Sequence, residues 1–172
     1  MKDLKHIIRD VPDFPKEGIL FKDITPLLAD PEAFRETIDR MAEQWEGKQV
    51  DVIVGIEARG FIFASALAYK MGAGLVIVRK PGKLPYTTKS VTYDLEYGTD
   101  SLEAHTDAIQ PGQNVLIVDD VLATGGTVKA VAKLLRQFDA HLLGSAFLSE
   151  LSFLNGREKI ADCGEMTTLI TF

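Results

Sequence analysis

Residues 115–127 read VLIVDDVLATGGT, and this stretch decides the fold class of the chain. Its first four residues are all apolar, which predicts a strand covered on both faces, because a half-exposed strand would alternate with polar residues. Two carboxylates and a loop of small residues follow, and an apolar stripe over 127–138 then predicts a helix. Strand, loop and helix in this order are typical of a parallel sheet covered by helices.

The same alternation continues on both sides of this stretch. We predict strands at 50–56, 74–78, 114–120, 142–151 and 167–172, the last of them at an edge of the sheet. A predicted helix at 61–71 falls between the first two strands. The fold class expected is α/β, with a doubly wound, mainly parallel sheet flanked by helices.

The first fifty residues predict helices and loops. Apolar residues over 4–8 have helical spacing, and the prolines at positions 12 and 15 should end that segment. Asp30 and Pro31 then predict the capped start of an amphipathic helix that extends towards Trp45.

Between Arg79 and Gly112 the alternation breaks down, and we predict an irregular excursion over about 80–112. It opens with a loop rich in proline, glycine and lysine and continues with polar, β-branched residues. A long excursion inside a compact domain is often a functional lid. A solvated β-hairpin with no role in function is the alternative, and the sequence alone leaves both open.

Length and composition limit the classes of protein. The chain has 172 residues, of which 46% are hydrophobic, as expected for one globular domain over residues 1–172. Lys and Arg number 19 against 25 Asp and Glu, and this net charge of −6 argues against a nucleic-acid partner. One cysteine, Cys163, allows no internal disulfide. A charged N-terminus and a longest apolar stretch of about half a bilayer span predict a cytoplasmic protein with no membrane partner.

The small-residue loop has the features of a phosphate cradle. Its two glycines let the backbone approach a ligand, and the N–H groups at a helix N-terminus attract an anion. The two threonines add hydroxyl donors. The residues of this predicted cradle are Ala123, Thr124, Gly125, Gly126 and Thr127. The loop matches neither the Gly-Lys-Ser/Thr ending of a Walker A loop nor the glycine pattern of the dinucleotide fingerprint.

Asp119 and Asp120 would serve the other half of such a ligand. Paired carboxylates at a strand end accept hydrogen bonds from sugar hydroxyls or hold a hydrated Mg²⁺. Together with the cradle they predict a ribose 5-phosphate ligand. The alternative is a pair of helix-capping acids before an ordinary glycine turn.

Residues 115–127 resemble the phosphoribosyl-pyrophosphate motif of the type I phosphoribosyltransferases. Four further segments resemble that family in the same order, most closely its adenine-specific members: FPKEGILFKDI at 14–24, GIEARGF at 55–61, RKPGKLP at 79–85 and LEYG at 95–98. The resemblance covers the chain from about Asp13 to its end. Several motifs in fixed order are more specific than any one of them.

The resemblance identifies the turn after the strand at 50–56 as a pyrophosphate loop, made of Glu57, Ala58, Arg59 and Gly60. The N–H groups at the start of a helix and the donor fork of Arg59 suit a phosphate group. Because the turn between this strand and the following helix has no glycine until Gly60, we expect unusual peptide geometry at Glu57–Ala58, and the resemblance implies a cis bond. It also implies that a basic segment adds positive charge around the pyrophosphate, through Arg79, Lys80 and Lys83.

The resemblance implies that Leu20, Phe21 and Lys22 bind the base. Periodicity alone favours the hydrophobic core for Leu20 and Phe21. Near the end of the excursion, Glu96 is implied as the acid–base residue and Tyr97 as part of the lid. An exposed hairpin glutamate without a role is the alternative for Glu96.

The activity that the resemblance implies is Mg²⁺-dependent transfer of phosphoribose from 5-phospho-α-D-ribose 1-diphosphate to N9 of adenine, yielding AMP and diphosphate. The catalytic residues would be Glu96, Arg59, Asp119 and Asp120, with Mg²⁺ held mainly by the substrate and the two aspartates contacting it through water. The family also implies a homodimer and a small hood over the base, to which residues 1–35 contribute.

Two other functions remain compatible with the sequence. A regulator on the same fold would bind the sugar diphosphate without chemistry, but such proteins need a basic DNA-binding element, and only about a dozen residues precede the segment at 14–24 that contains the base-binding residues. A sister transferase would use a 6-oxopurine or orotate, because one sequence does not fix the base.

Overall fold

The computed structural model describes residues 3–94 and 98–172. Its helices are α1 (Leu4–Ile7), α2 (Thr25–Ala29), α3 (Pro31–Glu43), α4 (Gly60–Met71), α5 (Gly126–Leu135) and α6 (Gly156–Lys159). Its strands are β1 (Arg9–Pro12), β2 (Leu20–Asp23), β3 (Val52–Ile56), β4 (Gly74–Val78), β5 (Thr88–Asp94), β6 (Thr99–His105), β7 (Asn114–Leu122), β8 (His141–Glu150) and β9 (Glu165–Thr171). Short 3₁₀ turns follow α5 at Arg136–Phe138 and β8 at Ser152–Leu154.

Five parallel strands form the central sheet in the order β4-β3-β7-β8-β9. The predicted α/β fold class is confirmed, and the strand expected at 167–172 lies at the edge as β9. β4 lies on one side of β3, whereas β8 and β9 continue from β7 on the other side. The order of the strands therefore reverses between β3 and β7, and ligands of such sheets bind at this switch point.

Both faces of the sheet are buried at its central strands β3, β7 and β8, which explains the unbroken apolar runs there. All five residues of β3 are buried. On one face, α3 and α4 cover the sheet in a core that includes Phe63 and Leu67. On the other face, α5 and the β5–β6 pair form a second core that includes Val131 and Leu102. None of the helices in the described ranges is long and apolar enough to cross a membrane.

The amphipathic helix predicted after Asp30 is confirmed as α3. The Asp30 carboxylate accepts hydrogen bonds from the N–H groups of Glu32 at 2.9 Å and Ala33 at 3.0 Å, which caps the helix. Trp45 lies just beyond the end of α3 and is fully buried. Its Nε1 donates to Thr167 Oγ1 at 3.0 Å and so connects this helix to β9.

The N-terminal segment contains an antiparallel ribbon that the sequence analysis missed. β1 pairs with β2, with Arg9 opposite Asp23, and α1 ends at Ile7 before the prolines are reached. Neither strand has a buried residue, so neither shows the alternation that predicts a half-buried strand. Lys5 Nζ donates to the carbonyl of Thr171 at 2.6 Å, and this bond attaches the segment to the C-terminal strand.

The excursion over 80–112 is more regular than predicted. β5 and β6 form an antiparallel pair in which Thr88 lies opposite His105. Val91, Leu102 and Ala104 are buried, so the pair is not solvated on both faces. The prediction of an irregular segment was wrong for these two strands. They contain many threonine, serine and charged residues, so the few apolar positions that face α5 give no clear alternating pattern in the sequence.

Candidate active site

The loops that leave β3 and β7 meet at the switch point of the sheet. Together they line a cavity of about 240 Å³. Ten of the predicted site residues line this cavity: Glu57, Ala58, Arg59, Asp119, Asp120, Ala123, Thr124, Gly125, Gly126 and Thr127. The structure therefore brings the pyrophosphate loop (57–60) and the phosphate cradle (123–127) together at one pocket.

The phosphate cradle is held in place by a close contact with α6. Gly125 has a φ of +80°, and a Cβ added there would lie 2.7 Å from the carbonyl oxygen of Gly156. A Cβ on Gly156 would lie 2.1 Å from the carbonyl oxygen of Ala123. Both positions therefore require glycine. Gly156 is not among the predicted site residues, because its only signal in the sequence is an Asn-Gly pair that usually marks a turn.

The pyrophosphate loop packs equally closely against the carboxylates. The Glu57–Ala58 peptide bond is cis, as the resemblance implied. α4 begins at Gly60, where an added Cβ would lie 2.6 Å from Asp119 Oδ1. Glycine at this position lets the first turn of α4 approach the end of β7, so the helix N-terminus and the carboxylate pair lie side by side.

Arg59 connects the two loops. Its Nε lies 2.9 Å from Asp120 Oδ2, and the Asp120 side chain is only 6% exposed. A buried carboxylate needs such a partner, since leaving it unpaired would carry a large desolvation penalty. The Arg59 side chain is 39% exposed, so part of its guanidinium still faces the cavity.

Asp119 differs electrostatically from its neighbour. Its Oδ1 accepts a hydrogen bond from the Asp120 N–H at 2.9 Å. Desolvation and the adjacent charge of Asp120 raise the pKa of Asp119 well above its ordinary value, and they outweigh that hydrogen bond and the more distant Arg59 charge. The end of β7 thus carries two adjacent carboxyl groups, of which Asp119 binds a proton more tightly than an ordinary aspartate.

The predicted base-binding residues form β2 beside the pocket. Leu20 is 51% exposed, and neither it nor Phe21 belongs to the two buried cores, contrary to the expectation from periodicity. Phe21 contacts Phe14 edge to face at 5.0 Å between ring centroids. The Arg59 Cζ lies 5.1 Å from the Phe21 centroid, which places this ring next to the pyrophosphate loop. The side chain of Lys22 pairs with β1, because its Nζ donates to Asp10 Oδ1 at 2.6 Å.

The basic segment (79–83) converges on Glu57. The Glu57 carboxylate accepts hydrogen bonds from the Lys80 N–H at 2.7 Å and from Lys83 Nζ at 2.5 Å, and Arg79 Nε lies 3.4 Å from it. Burial raises the pKa of Glu57, but the hydrogen bonds of Lys83 and Lys80 and the nearby charges outweigh it, so the pKa is lowered overall. Lys80 Nζ pairs with Asp100 at 2.9 Å.

Three comparisons place the chain among known proteins. The model of the phosphoribosyl transferase domain matches residues 27–159. Adenine phosphoribosyltransferase of Geobacter metallireducens is 59% identical over 172 residues, which is 100% of both chains. The chain belongs to the adenine phosphoribosyltransferase family.

Solved structures of this family share the fold described above. The adenine phosphoribosyltransferase of Thermoanaerobacter pseudethanolicus has a TM-score of 0.95 and 54% identity, covering 99% of this chain and 98% of that one. The Saccharomyces cerevisiae enzyme, solved with adenine and an imino-altritol bisphosphate, has a TM-score of 0.90 and 43% identity, covering 96% of each chain. The likeness extends over nearly the full length of both relatives.

Two further predictions for this family member concern a metal and the lid. Within the described ranges, no group of three or more His, Cys, Asp or Glu side chains could hold a metal ion. Asp119 and Asp120 alone would suit Mg²⁺ that is bound mostly by substrate phosphates and water. Glu96 and Tyr97, predicted as acid–base and lid residues, lie outside the described residues.

Proposed function

We propose that this chain transfers phosphoribose from 5-phospho-α-D-ribose 1-diphosphate to adenine, giving AMP and diphosphate in purine salvage. The observation that carries the proposal is the single cavity in which a glycine cradle, a carboxylate pair and Arg59 lie together. Each part matches one part of a phosphorylated ribose diphosphate. Full-length identity to adenine phosphoribosyltransferases supports adenine as the base.

The cradle and the carboxylates would orient the sugar. Residues 123–127 would donate their N–H groups to the 5′-phosphate at the N-terminus of α5. Asp119 and Asp120 would accept hydrogen bonds from the ribose hydroxyls. Fixing both ends of the sugar holds C1 in line between the incoming nitrogen and the departing diphosphate.

Arg59 and the pyrophosphate loop would stabilise the leaving group. Negative charge builds up on the diphosphate as its bond to C1 breaks, and C1 acquires oxocarbenium character. Preorganised donors aimed at developing charge lower the barrier. When bound, Mg²⁺ neutralises charge on the diphosphate, and Asp119 and Asp120 would hold it through water.

The base would lie against β2, with Glu96 taking part in proton transfer. Leu20 is half-exposed, and Phe21 is partly buried with its ring 5.1 Å from the Arg59 Cζ, so the two residues offer apolar surface for stacking on a purine. Adenine must lose a ring proton as N9 attacks, and a carboxylate at N7 accepts such a proton. We assign this role to Glu96 and assign cover of the site to Tyr97, in a lid within 80–112. Residues 1–35, which contain β2, form the proposed hood.

We further propose a cytoplasmic homodimer. Ile62 on α4 and Leu75 and Ile77 on β4 are large apolar side chains that are 37–44% exposed. They lie on elements that flank the pyrophosphate loop, so a second copy would cover apolar surface next to the site. Sedimentation equilibrium of the purified protein measures this directly, and a monomer at all concentrations would refute it.

A spectrophotometric panel of bases tests the proposed function. The protein would be incubated with the sugar diphosphate, Mg²⁺ and, separately, adenine, hypoxanthine, guanine, xanthine or orotate. We expect turnover with adenine alone or at a rate far above the others. Faster turnover of another base would identify a sister transferase, and binding without turnover of any base would identify a regulator.

A further inference from the structure

Glu57 attaches the basic segment to the sheet. It follows the last residue of β3, and its side chain is only 8% exposed. One of its oxygens accepts from Lys83 Nζ at 2.5 Å, and the other accepts from the Lys80 N–H at 2.7 Å. Both carboxylate oxygens therefore bind the same five-residue stretch.

The cations held by Glu57 keep donors available. The side chains of Lys83 and Arg79 are 45% and 32% exposed. Arg79 Nε is buried 3.4 Å from the Glu57 carboxylate, yet it makes no hydrogen bond to any described atom. The Arg79 side chain is thus held beside Glu57 by charge attraction and by its contact with the Phe61 ring, 5.9 Å from Cζ, and its Nε keeps a free donor for a ligand.

The position of Glu57 directs these cations towards the leaving group. Glu57 itself lines the cavity together with Ala58 and Arg59. A carboxylate facing a diphosphate would repel it unless cations intervened. Lys83 and Arg79 offset that charge, since both lie against Glu57, although neither is among the residues that line the cavity.

We propose that Glu57 is a positioning residue for the diphosphate group and acts through Lys83 and Arg79. The inference rests on the proposed function and deepens it, because it explains how an acidic residue belongs in an anion site. The carboxylate fixes the two side chains beside Glu57, which itself lines the cavity, before substrate arrives. Long basic side chains that are already ordered in the free protein lose less conformational entropy when the ligand binds.

Glu57→Gln tests this role with Glu103→Gln as the matched control. Glutamine still accepts from the Lys80 N–H but loses the charge that holds Lys83 and Arg79. Within the part of the chain that the structure describes, the Glu103 carboxylate accepts from the same segment only a backbone N–H, that of Gly82 at 3.3 Å. Calorimetry with Mg²⁺-diphosphate should show affinity about tenfold weaker for Glu57→Gln, the loss of roughly one charge-assisted hydrogen bond, and little change for Glu103→Gln.

Steady-state kinetics separate positioning from general damage. We expect KM for the sugar diphosphate to rise about as much as the dissociation constant of diphosphate, while KM for adenine stays within about twofold. Glu57→Asp keeps the charge on a shorter side chain. Its affinity for diphosphate should lie between those of the wild type and Glu57→Gln. This variant also serves if Glu57→Gln fails to fold, as circular dichroism would show.

A double-mutant cycle with Lys83→Met shows whether Glu57 acts through the lysine. If it does, the loss of diphosphate affinity in the double variant is smaller than the two single losses combined, and what Glu57→Gln still costs in the Lys83→Met background is the part that acts through Arg79. Additive losses, or unchanged or tighter binding by Glu57→Gln, would overturn the inference while leaving adenine turnover by the wild type intact. A wild type that neither binds diphosphate nor turns over adenine would instead overturn the proposed function.

Discussion

Asp119 is the residue at which stability and function conflict. Its pKa is raised in the folded protein by desolvation and by Asp120, so its ionised form is disfavoured on folding. The stabilising contribution of its protonated form is complete below the unfolded pKa, near 3.8, and is lost as the pH rises through the folded pKa. Ionisation of Asp119 as the pH rises therefore destabilises the fold that holds it.

We predict that Asp119→Asn raises the melting temperature at pH 7 and weakens binding of the sugar diphosphate. The asparagine oxygen can still accept from the Asp120 N–H, but it carries no charge. Relief of about 1 kcal/mol corresponds to roughly 2–4 °C in a chain of this size. Thermal unfolding followed from pH 7 to pH 3 should show this gain shrinking towards pH 4.

Asp162→Asn is the control, because folding shifts the pKa of Asp162 in the direction opposite to that of Asp119. The hydrogen bond and charge of Lys129 lower the pKa of Asp162, so its ionised form favours folding above its unfolded pKa. This exposed variant should gain no stability at pH 7. Equal gains in the two variants would show that the effect at Asp119 comes from general charge reduction.

Phe21→Ala tests the base-binding role of β2. We predict that KM for adenine rises about 5- to 150-fold, as expected for loss of stacking worth about 1–3 kcal/mol, while KM for the sugar diphosphate changes much less. Phe153→Ala, at another exposed aromatic residue, is the control for general effects of truncation. Equal weakening of both substrates by Phe21→Ala would favour a purely structural role.

At the scale of elements, two adjacent glycines at the start of α5 have different roles. Gly126 leaves room for a ligand to approach, whereas Gly125 packs closely against α6. A Cβ on Gly126 would meet Lys159 Nζ at 3.6 Å and Thr124 Oγ1 at 3.7 Å, which are ordinary contacts. We predict that Gly126→Val folds but loses affinity for AMP, because its side chain fills the cradle. Calorimetry measures the affinity and circular dichroism the fold.

Gly125→Ala is the contrasting variant of the same turn. Its positive φ and the carbonyl of Gly156 leave no room for a side chain, so this change should lower stability. Unchanged AMP affinity in a folded Gly126→Val protein would place the phosphate elsewhere.

Glu96 carries the acid–base role that we propose for the lid. We predict that Glu96→Gln lowers kcat by about 10²- to 10⁴-fold, because glutamine cannot accept the proton that a general base removes. AMP binding, measured by calorimetry, should persist. Turnover within about threefold of the wild type would assign the proton transfer to another group or to water.

At the scale of the whole molecule, the fold and the composition of the pocket follow from the sequence. Buried parallel strands alternate with helices, so the apolar runs locate β3, β4, β7, β8 and β9. Because the carboxyl ends of β3 and β7 are neighbours at the switch point, Arg59 and Asp120 meet there although they are far apart in sequence.

Contacts that depend on close packing between distant segments could not be predicted. Gly156 supports the phosphate cradle through a backbone approach that no local pattern encodes. The carboxylate of Glu57 binds residues 79–83 only because β3 and β4 are adjacent in the sheet. β1 and β2 escaped prediction because strands without buried residues lack a hydrophobic period.

The most direct test of the central claim is the stoichiometry of the reaction. Phosphorus NMR would follow the wild-type protein with Mg²⁺, adenine and 5-phospho-α-D-ribose 1-diphosphate. We predict that AMP and diphosphate appear in equal amounts as the sugar diphosphate disappears, and that the reaction stops when adenine is omitted. Persistence of the bound sugar diphosphate without AMP formation would contradict the claim that this site transfers phosphoribose to adenine.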